Sequence, residues 1–277
     1  MTQFGKGMVM DMESDRISLS ALCRDICDCM GIDAPSAAEP SGGRLKSLAG
    51  DRKCERVVMY NPDAQAEWLV KKYPEIFEPV TSRCHLAYKF ATVMPSVTPV
   101  CFATMYTGAM PEVHGIRKYE KPVLETDTIF DALVRAGKKA AIIATKGSSM
   151  SIIFGGRDID YYIIPADADA DEKAVKKGIE LIKEDKYDFL VIYNGNYDSM
   201  MHVTYPESEY AVHWLRHHAD AFARIYSAVS ETSKRSGRTA LVGYATDHGV
   251  HTNENGRGTH GADIPEDIEI THFYDVI

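Results

Sequence analysis

Thr98 and Pro99 adjoin within the run MPSVTPVCFATMYTG. Proline favours the first position of a helix and threonine the capping position before it, so the pair sets a hydroxyl at a helix N-terminus. Backbone N–H groups and the helix dipole attract a phosphate oxygen there. Thr98 is thus a candidate nucleophile toward phosphorus, and equally an ordinary cap. Asp198 and His202 stand four residues apart in DSMMH, so one helical turn brings a carboxylate and an imidazole to a common point, as a shared metal ion requires. Asp247 and His248 are adjacent in TDHG, where Gly249 allows a tight bend. A buried Asp–His hydrogen bond is the plainer reading of that pair. His260 lies in the Gly-flanked RGTHGAD, and Asp63 follows an apolar run. Together, three carboxylates and three imidazoles without cysteine suit Zn²⁺, or harder ions such as Mn²⁺ and Mg²⁺. Two such ions would clamp the attacking and leaving oxygens of an in-line displacement and lower the pKa of the Thr98 hydroxyl.

The elements that must position these groups are legible from residue 55 onward. Apolar, β-rich runs ERVVMY, KKAAIIAT, YDFLVIYN and TALVGYAT alternate with helical periods, the pattern of a sheet with helices on both faces. Helices are expected at TDTIFDALVRAG, at ADEKAVKKGIELIKED and at ESEYAVHWLRHHADAFARIYSAVSETSKRSG, the first closed by Gly137 and the last by Gly237. Three of the four strands run straight into polar loops: YNPDA, YNGNYDSMMH and TDHGVH. Ligands of open α/β sheets bind at the carboxyl ends of strands, so these loops converge on one candidate site. Segment 34–53 is rich in Pro, Gly and Ser and reads as a linker.

Composition narrows the function classes. A net charge of -9 over 277 residues argues against general affinity for nucleic acid polymers or anionic membranes, which reward clustered Lys and Arg. It leaves small anionic substrates open, because a metal-lined pocket reverses the local sign. The N-terminus lacks the pattern of a secretory signal, and no run approaches the roughly 18 apolar residues of a membrane span, so the expected location is cytoplasmic. Cys23, Cys27 and Cys29 sit in LSALCRDICDCMGI, where Leu22, Ile26, Cys27 and Met30 make an apolar helix face, and with Cys54, Cys84 and Cys101 they read as reduced structural thiols.

The stretch from Met94 to Ile116 resembles, without a gap, the nucleophile segment of nucleotide pyrophosphatase/phosphodiesterases of the alkaline phosphatase superfamily, P-T-x-T-x-P followed by T-G-x-x-P-x-x-H-G-I. DSMMH resembles that family's D-x-x-G-H, TDHG its S-D-H-G and GTHG its last metal histidine, in the same order over residues 55–272. The resemblance implies Thr98 as nucleophile, one metal on Asp198, His202 and His260, and a second on Asp63, Asp247, His248 and the Thr98 oxygen. Asn61 is the alternative to Asp63, because the family shows D-G after the strand where this chain has N-P-D-A, and His251 competes with His260. The asparagine with which the diesterases hold substrate phosphate falls at Tyr119, with Arg117 and Lys118 beside it as stand-ins. The implied fold is a three-layer α/β/α sandwich on a central, mostly parallel sheet, forming one alkaline phosphatase-like domain over residues 1–277. The closing helix with its Gly-rich tail is missing after THFYDVI and resembles residues 1–45, which implies a circular permutation.

A sulfatase is disfavoured, since Thr98 cannot form the required aldehyde and Phe102 occupies the arginine position. The implied activity is hydrolysis of a phosphodiester or nucleotide pyrophosphate on two divalent ions, zinc first and manganese or magnesium next, with a small phosphorylated substrate as partner. A phosphomonoesterase or phosphonate hydrolase of the superfamily is the alternative. A protein that binds metal or a phosphorylated ligand without turnover is the reading from another class.

Overall fold

The structure, a computed structural model, describes residues 16–277. Its strands are β1 (Ile17–Ser18), β2 (Arg56–Pro62), β3 (Leu86–Ala91), β4 (Ala140–Thr145), β5 (Asp160–Ile164), β6 (Phe189–Asn194), β7 (Ala240–Tyr244), β8 (His251–Thr252), β9 (Gly258–Thr259) and β10 (Glu269–Val276). Eight of them form one sheet in the order β1-β3-β10-β7-β2-β6-β4-β5, while β8 and β9 pair separately. Within the sheet only β10 is antiparallel to its neighbours, β3 and β7.

The alternation of side chains along each strand builds two cores. In β2, Val57 and Met59 face one and Val58 and Tyr60 the other; in β4, Ile142 and Ala144 oppose Ala141 and Ile143. Strands covered on both faces need continuous apolar runs, which is why these read so clearly in the sequence. The first core is roofed by α1 (Ala21–Met30), α2 (Arg44–Ala49), α5 (Thr98–Thr107), α7 (Ile129–Arg135) and α8 (Ser149–Ile152). The second is roofed by α3 (Glu67–Lys72), α4 (Pro74–Thr81), α9 (Ala170–Glu184), α10 (Asn196–Val203) and α11 (Glu209–Ser236). Single turns α6 (Pro111–His114) and α12 (Pro265–Ile268) complete the described helices. This is the three-layer α/β/α sandwich, with aromatic side chains such as Tyr60, Phe102, Tyr106, Phe130, Phe189 and Tyr244 fully buried between layers. Burial of each stabilises the fold by ~1.5–3 kcal/mol.

Local signals explain the helix ends. Thr128 accepts the Asp131 N–H while the Asp131 carboxylate accepts the Thr128 N–H, a capping box that starts α7. The 28-residue α11 starts on the Ser208 hydroxyl and stops at Gly237, whose φ of 75° favours glycine. Besides two-residue strands, three strands of the main sheet escaped the sequence reading: β5, a partly exposed edge strand, and β3 with β10, whose runs LAYKFA and EITHFYDV mix charged and apolar residues.

Segment 34–53 is more than a linker. Its residues Arg44–Ala49 form α2, and Ala38, Leu45 and Ala49 are buried. The buried Asp25 carboxylate accepts the Arg44 N–H at 3.2 Å and the Tyr88 hydroxyl at 3.0 Å, fixing the start of that helix. Cys23, Cys27 and Cys29 lie on the buried face of α1, and among the described residues no cysteine joins a metal-ligand group. The expected permutation rests partly on residues outside the described range. Of the described part, β1 pairs with β3 at the sheet edge, and Arg16 reaches both Glu67 at 2.9 Å and Glu269 at 3.0 Å.

Candidate active site

The loops after β2, β6 and β7 and the start of α5 meet at one end of the sheet. Asp63 follows β2, Asp198 and His202 lie on α10 after β6, Asp247 and His248 follow β7, and Thr98 opens α5. His260 arrives on the loop after β9. Thr98 is the first helical residue and Val97 the cap, one position from the sequence expectation. Its hydroxyl lies 3.3 Å from His248 Nε2.

The donor atoms form two adjoining sets. Asp198 Oδ1 is 3.3 Å from His202 Nε2 and 3.4 Å from His260 Nε2, and the two imidazole nitrogens are 3.2 Å apart. In the second set His248 Nε2 lies 3.4 Å from Asp63 Oδ1, 3.3 Å from Asp247 Oδ2 and 3.3 Å from Thr98 Oγ1. The sets touch where the His248 and His260 rings stack at 4.0 Å.

Three features make these sets fit cations. Asp63 Oδ1, Asp198 Oδ1 and Asp247 Oδ2 are buried without a hydrogen-bond partner, which a carboxylate oxygen rarely tolerates. The remaining oxygen of Asp63 accepts from the Tyr193 hydroxyl at 2.5 Å, and that of Asp247 from Ala64 N–H at 3.1 Å, so each carboxylate is held with one oxygen free. All three imidazoles donate Nδ1–H to backbone carbonyls: His202 to Gly258 at 3.1 Å, His248 to Gly249 at 3.0 Å and His260 to Ser96 at 2.9 Å. A carbonyl only accepts, so each ring in its neutral form presents its Nε2 lone pair to the site. Burial, then repulsion from Asp247 and Asp198, pushes the Asp63 carboxyl well above its usual range, and burial pushes Asp247 up to about 8. The cluster is short of positive charge.

The structure separates the alternatives that sequence left open. Asn61 is committed elsewhere, donating to Ala245 O and accepting from the Tyr106 hydroxyl, both at 2.5 Å. Asp63 joins the cluster, and Ala64 after it adopts φ 65°, the left-handed conformation that a glycine would take freely. His251 pairs with Asp267 at 2.8 Å outside both sets. Gly249 serves close approach more than a bend, because a Cβ there would fall 2.0 Å from the Glu266 carbonyl oxygen.

A cleft of ≈ 240 Å³ opens onto Thr98, Asp63 and Asp198. Tyr119 lines it, but Arg117 donates to Glu112 O and Lys118 pairs with Glu120, both outside it. Lys121 and Lys146 line it instead, and sequence reasoning missed both. The missed signal was the polar run TKGSS after β4, placed like the other three strand-end loops.

Asp171, at the start of α9, was also missed. Fully buried, it accepts Gly195 N–H at 3.0 Å and Asn196 N–H at 2.9 Å, the amides that open α10. Burial pushes its carboxyl up to about 6 despite those donors. Asp171→Ala leaves both amides unpaired, so the expected outcome is a loss of ~1–3 kcal/mol in stability and roughly 10- to 100-fold weaker metal retention through Asp198 and His202. Denaturant melts and competitive metal titration check it; unchanged metal affinity would contradict the anchoring role.

A mostly parallel sheet of this kind, with two adjoining carboxylate–imidazole sets and a helix-borne hydroxyl at its strand ends, is alkaline phosphatase-like. The profile of the Type I phosphodiesterase / nucleotide pyrophosphatase family matches residues 63–274, and the chain belongs to that family. Phosphonoacetate hydrolase from Sinorhizobium meliloti 1021, solved in complex with phosphonoacetate, is similar with a TM-score of 0.54 and 17% identity over 73% of this chain and 59% of its own. Murine ectonucleotide pyrophosphatase / phosphodiesterase 5 gives 0.57 and 17% over 72% and 59%. Its inactive form in complex with AMP gives 0.55 and 16% over 73% and 59%. At such identity the likeness is one of fold, and this chain spans about 59% of the length of each of these structures. No curated protein matches the sequence. No helix of the described residues is long and apolar enough to cross a membrane.

Proposed function

We propose that the chain hydrolyses phosphoric esters, with Thr98 as nucleophile and two divalent cations held by Asp198, His202 and His260 and by Asp63, Asp247 and His248. The observation that carries this reading is the pair of donor sets, each with an unpaired buried carboxylate oxygen beside an imidazole Nε2. Ligand bonds of ~2.0–2.1 Å at a tetrahedral ion separate ligand atoms by roughly 3.3–3.4 Å. The donor spacings of 3.2 to 3.4 Å are compatible with zinc, the first choice of metal.

When bound, the cations supply charge neutralisation at the phosphoryl oxygens and favour the alkoxide of Thr98. Thr98 Oγ1 attacks phosphorus as the bond to the leaving oxygen breaks, giving a phosphorylated threonine that water then hydrolyses to restore the hydroxyl. The positive end of α5 faces the attacking oxygen. Tyr193 and Ala64 N–H hold the Asp63 and Asp247 carboxylates in place through both steps.

Phosphodiester or nucleotide pyrophosphate cleavage is the first reading, from the family. A phosphomonoesterase is the second, favoured by Tyr119 at the asparagine position and by the lysines in the cleft. Hydrolysis of a bis-aryl phosphodiester beside an aryl phosphomonoester, after loading with zinc or manganese, tests them. The faster substrate decides between the two, and no turnover of either would favour a binding role. Six unbridged, buried cysteines support a cytoplasmic setting. One permuted domain is the reading of the chain order, supported by the packing of β1 beside β3 and of Arg16 against Glu269.

A further inference from the structure

At the end of β2 opposite the donor sets, two buried thiols meet. Cys29 lies in the last turn of α1, and Cys54 stands two residues before β2. The Cys29 thiol donates to Cys54 Sγ across 2.8 Å, and the Cys54 N–H donates to Cys29 O at 3.0 Å. A disulfide spans Cα separations of ~4.4–6.8 Å with an S–S bond of ~2.05 Å. Main chains already in hydrogen-bond contact need little adjustment for that, and the sulfurs close by roughly 0.8 Å. Other thiols are placed differently. Cys23 and Cys27 stand four residues apart on α1, where Cβ atoms are ~5–6 Å apart against the ~3.5–4.5 Å of a disulfide. Cys23 donates to Tyr106 O at 3.6 Å, and Cys101 accepts from Thr92 Oγ1 at 3.1 Å.

We infer that Cys29 and Cys54 form a modification site, a dithiol that a hydroperoxide oxidises to a disulfide tying α1 to the root of β2. This is independent of the hydrolase reading. Cys54 is flanked by exposed Arg52, Lys53 and Glu55, so a slight opening of that segment admits a molecule as small as hydrogen peroxide. The hydrogen bond from Cys29 lowers the Cys54 thiol from its ordinary value against the effect of burial, with help from Arg52 and Lys46, while Cys29 is raised. Cys54 is therefore the thiol that reacts first. Its thiolate attacks one peroxide oxygen, the O–O bond breaks, and the departing hydroxide takes a proton to become water. The Cys29 sulfur then attacks the sulfenic sulfur, the S–O bond breaks, and the oxygen leaves as a second water with the remaining protons. Two thiols are oxidised and one peroxide is reduced. The bond closes a loop over residues 30–53, which include α2. Asp63 lies nine residues beyond Cys54 along an extended strand, roughly 30 Å away at ~3.3 Å per residue, so oxidation strengthens the fold without touching the donor sets. In a reducing compartment the pair stays as thiols.

Peroxide treatment of the folded full chain, followed by thiol titration in denaturant and peptide mapping, tests the site. The expected result is loss of two of the six thiols and a tryptic link between peptides 25–44 and 54–56. Cys27→Ser retains that link, which assigns it to Cys29, and Cys54→Ser loses it. The melting temperature of the oxidised wild type should rise by roughly 5–10 °C and return with dithiothreitol, at constant zinc content. Mapping needs only the wild-type chain, so poor folding of a variant does not blunt the test. Six thiols that persist, a link through a different cysteine, or a link that forms only in unfolded protein overturns the inference.

Discussion

Thr98→Ala is expected to abolish ester hydrolysis, by roughly 10³-fold or more in kcat, while metal content stays at the wild-type level. The reasoning is geometric. Removing Oγ1 takes away the proposed nucleophile, yet each donor set keeps two carboxylate or imidazole partners around a central residue, His260 with His202 and Asp198, and His248 with Asp63 and Asp247. Val97 and not Thr98 holds the capping position, so loss of the hydroxyl costs the helix little. Thr98→Ser keeps the hydroxyl and should keep a measurable rate. Steady-state kinetics with metal analysis on the same preparations checks the set. An alanine variant with near wild-type rate would mean that water attacks directly and that Thr98 only borders the site.

Metal removal is expected to have the second large effect, on activity and on the fold together. Chelation returns three buried carboxylate oxygens to a state without partners, those of Asp63, Asp198 and Asp247. Activity should vanish and return with added zinc. Thermal stability should rise with metal concentration, by ~4.1 kcal/mol per site at a thousandfold excess over Kd. Differential scanning calorimetry across a zinc titration measures this. A melting temperature indifferent to both chelator and zinc would show that the clustered carboxylates are content without a cation, and the two-ion reading would fall.

Much of this site was readable because its residues sit where strand runs end. The strands carrying Asp63, Asp198 and Asp247 are buried on both faces, so their apolar runs stand out and the polar residues that follow are conspicuous. What stayed hidden depends on contacts that spacing does not encode. Asn61 and Asp63 both follow the apolar part of β2, and only the Tyr106 and Ala245 partners of Asn61 decide between them. Arg117 and Lys118 flank Tyr119 in sequence, yet short contacts to Glu112 and Glu120 turn them outward. Lys121, Lys146 and Asp171 come from separate segments that only the folded sheet brings to one cleft. The antiparallel β3–β10 pair was missed because scattered charged and polar residues, Lys89 in one strand and Glu269, Thr271, His272 and Asp275 in the other, interrupt the apolar runs.

The imidazole supports carry a consequence for how such a site withstands drift. His202, His248 and His260 are all oriented by main-chain carbonyls, of Gly258, Gly249 and Ser96. A carbonyl persists whatever side chain its residue bears, provided the loop keeps its course. Selection then has to guard the seven proposed donor side chains, their side-chain supports Tyr193 and Asp171, and a few tight passages such as Gly249. The surrounding residues are free to turn over, and a chain can diverge far in sequence while its metal geometry travels with the path of its backbone.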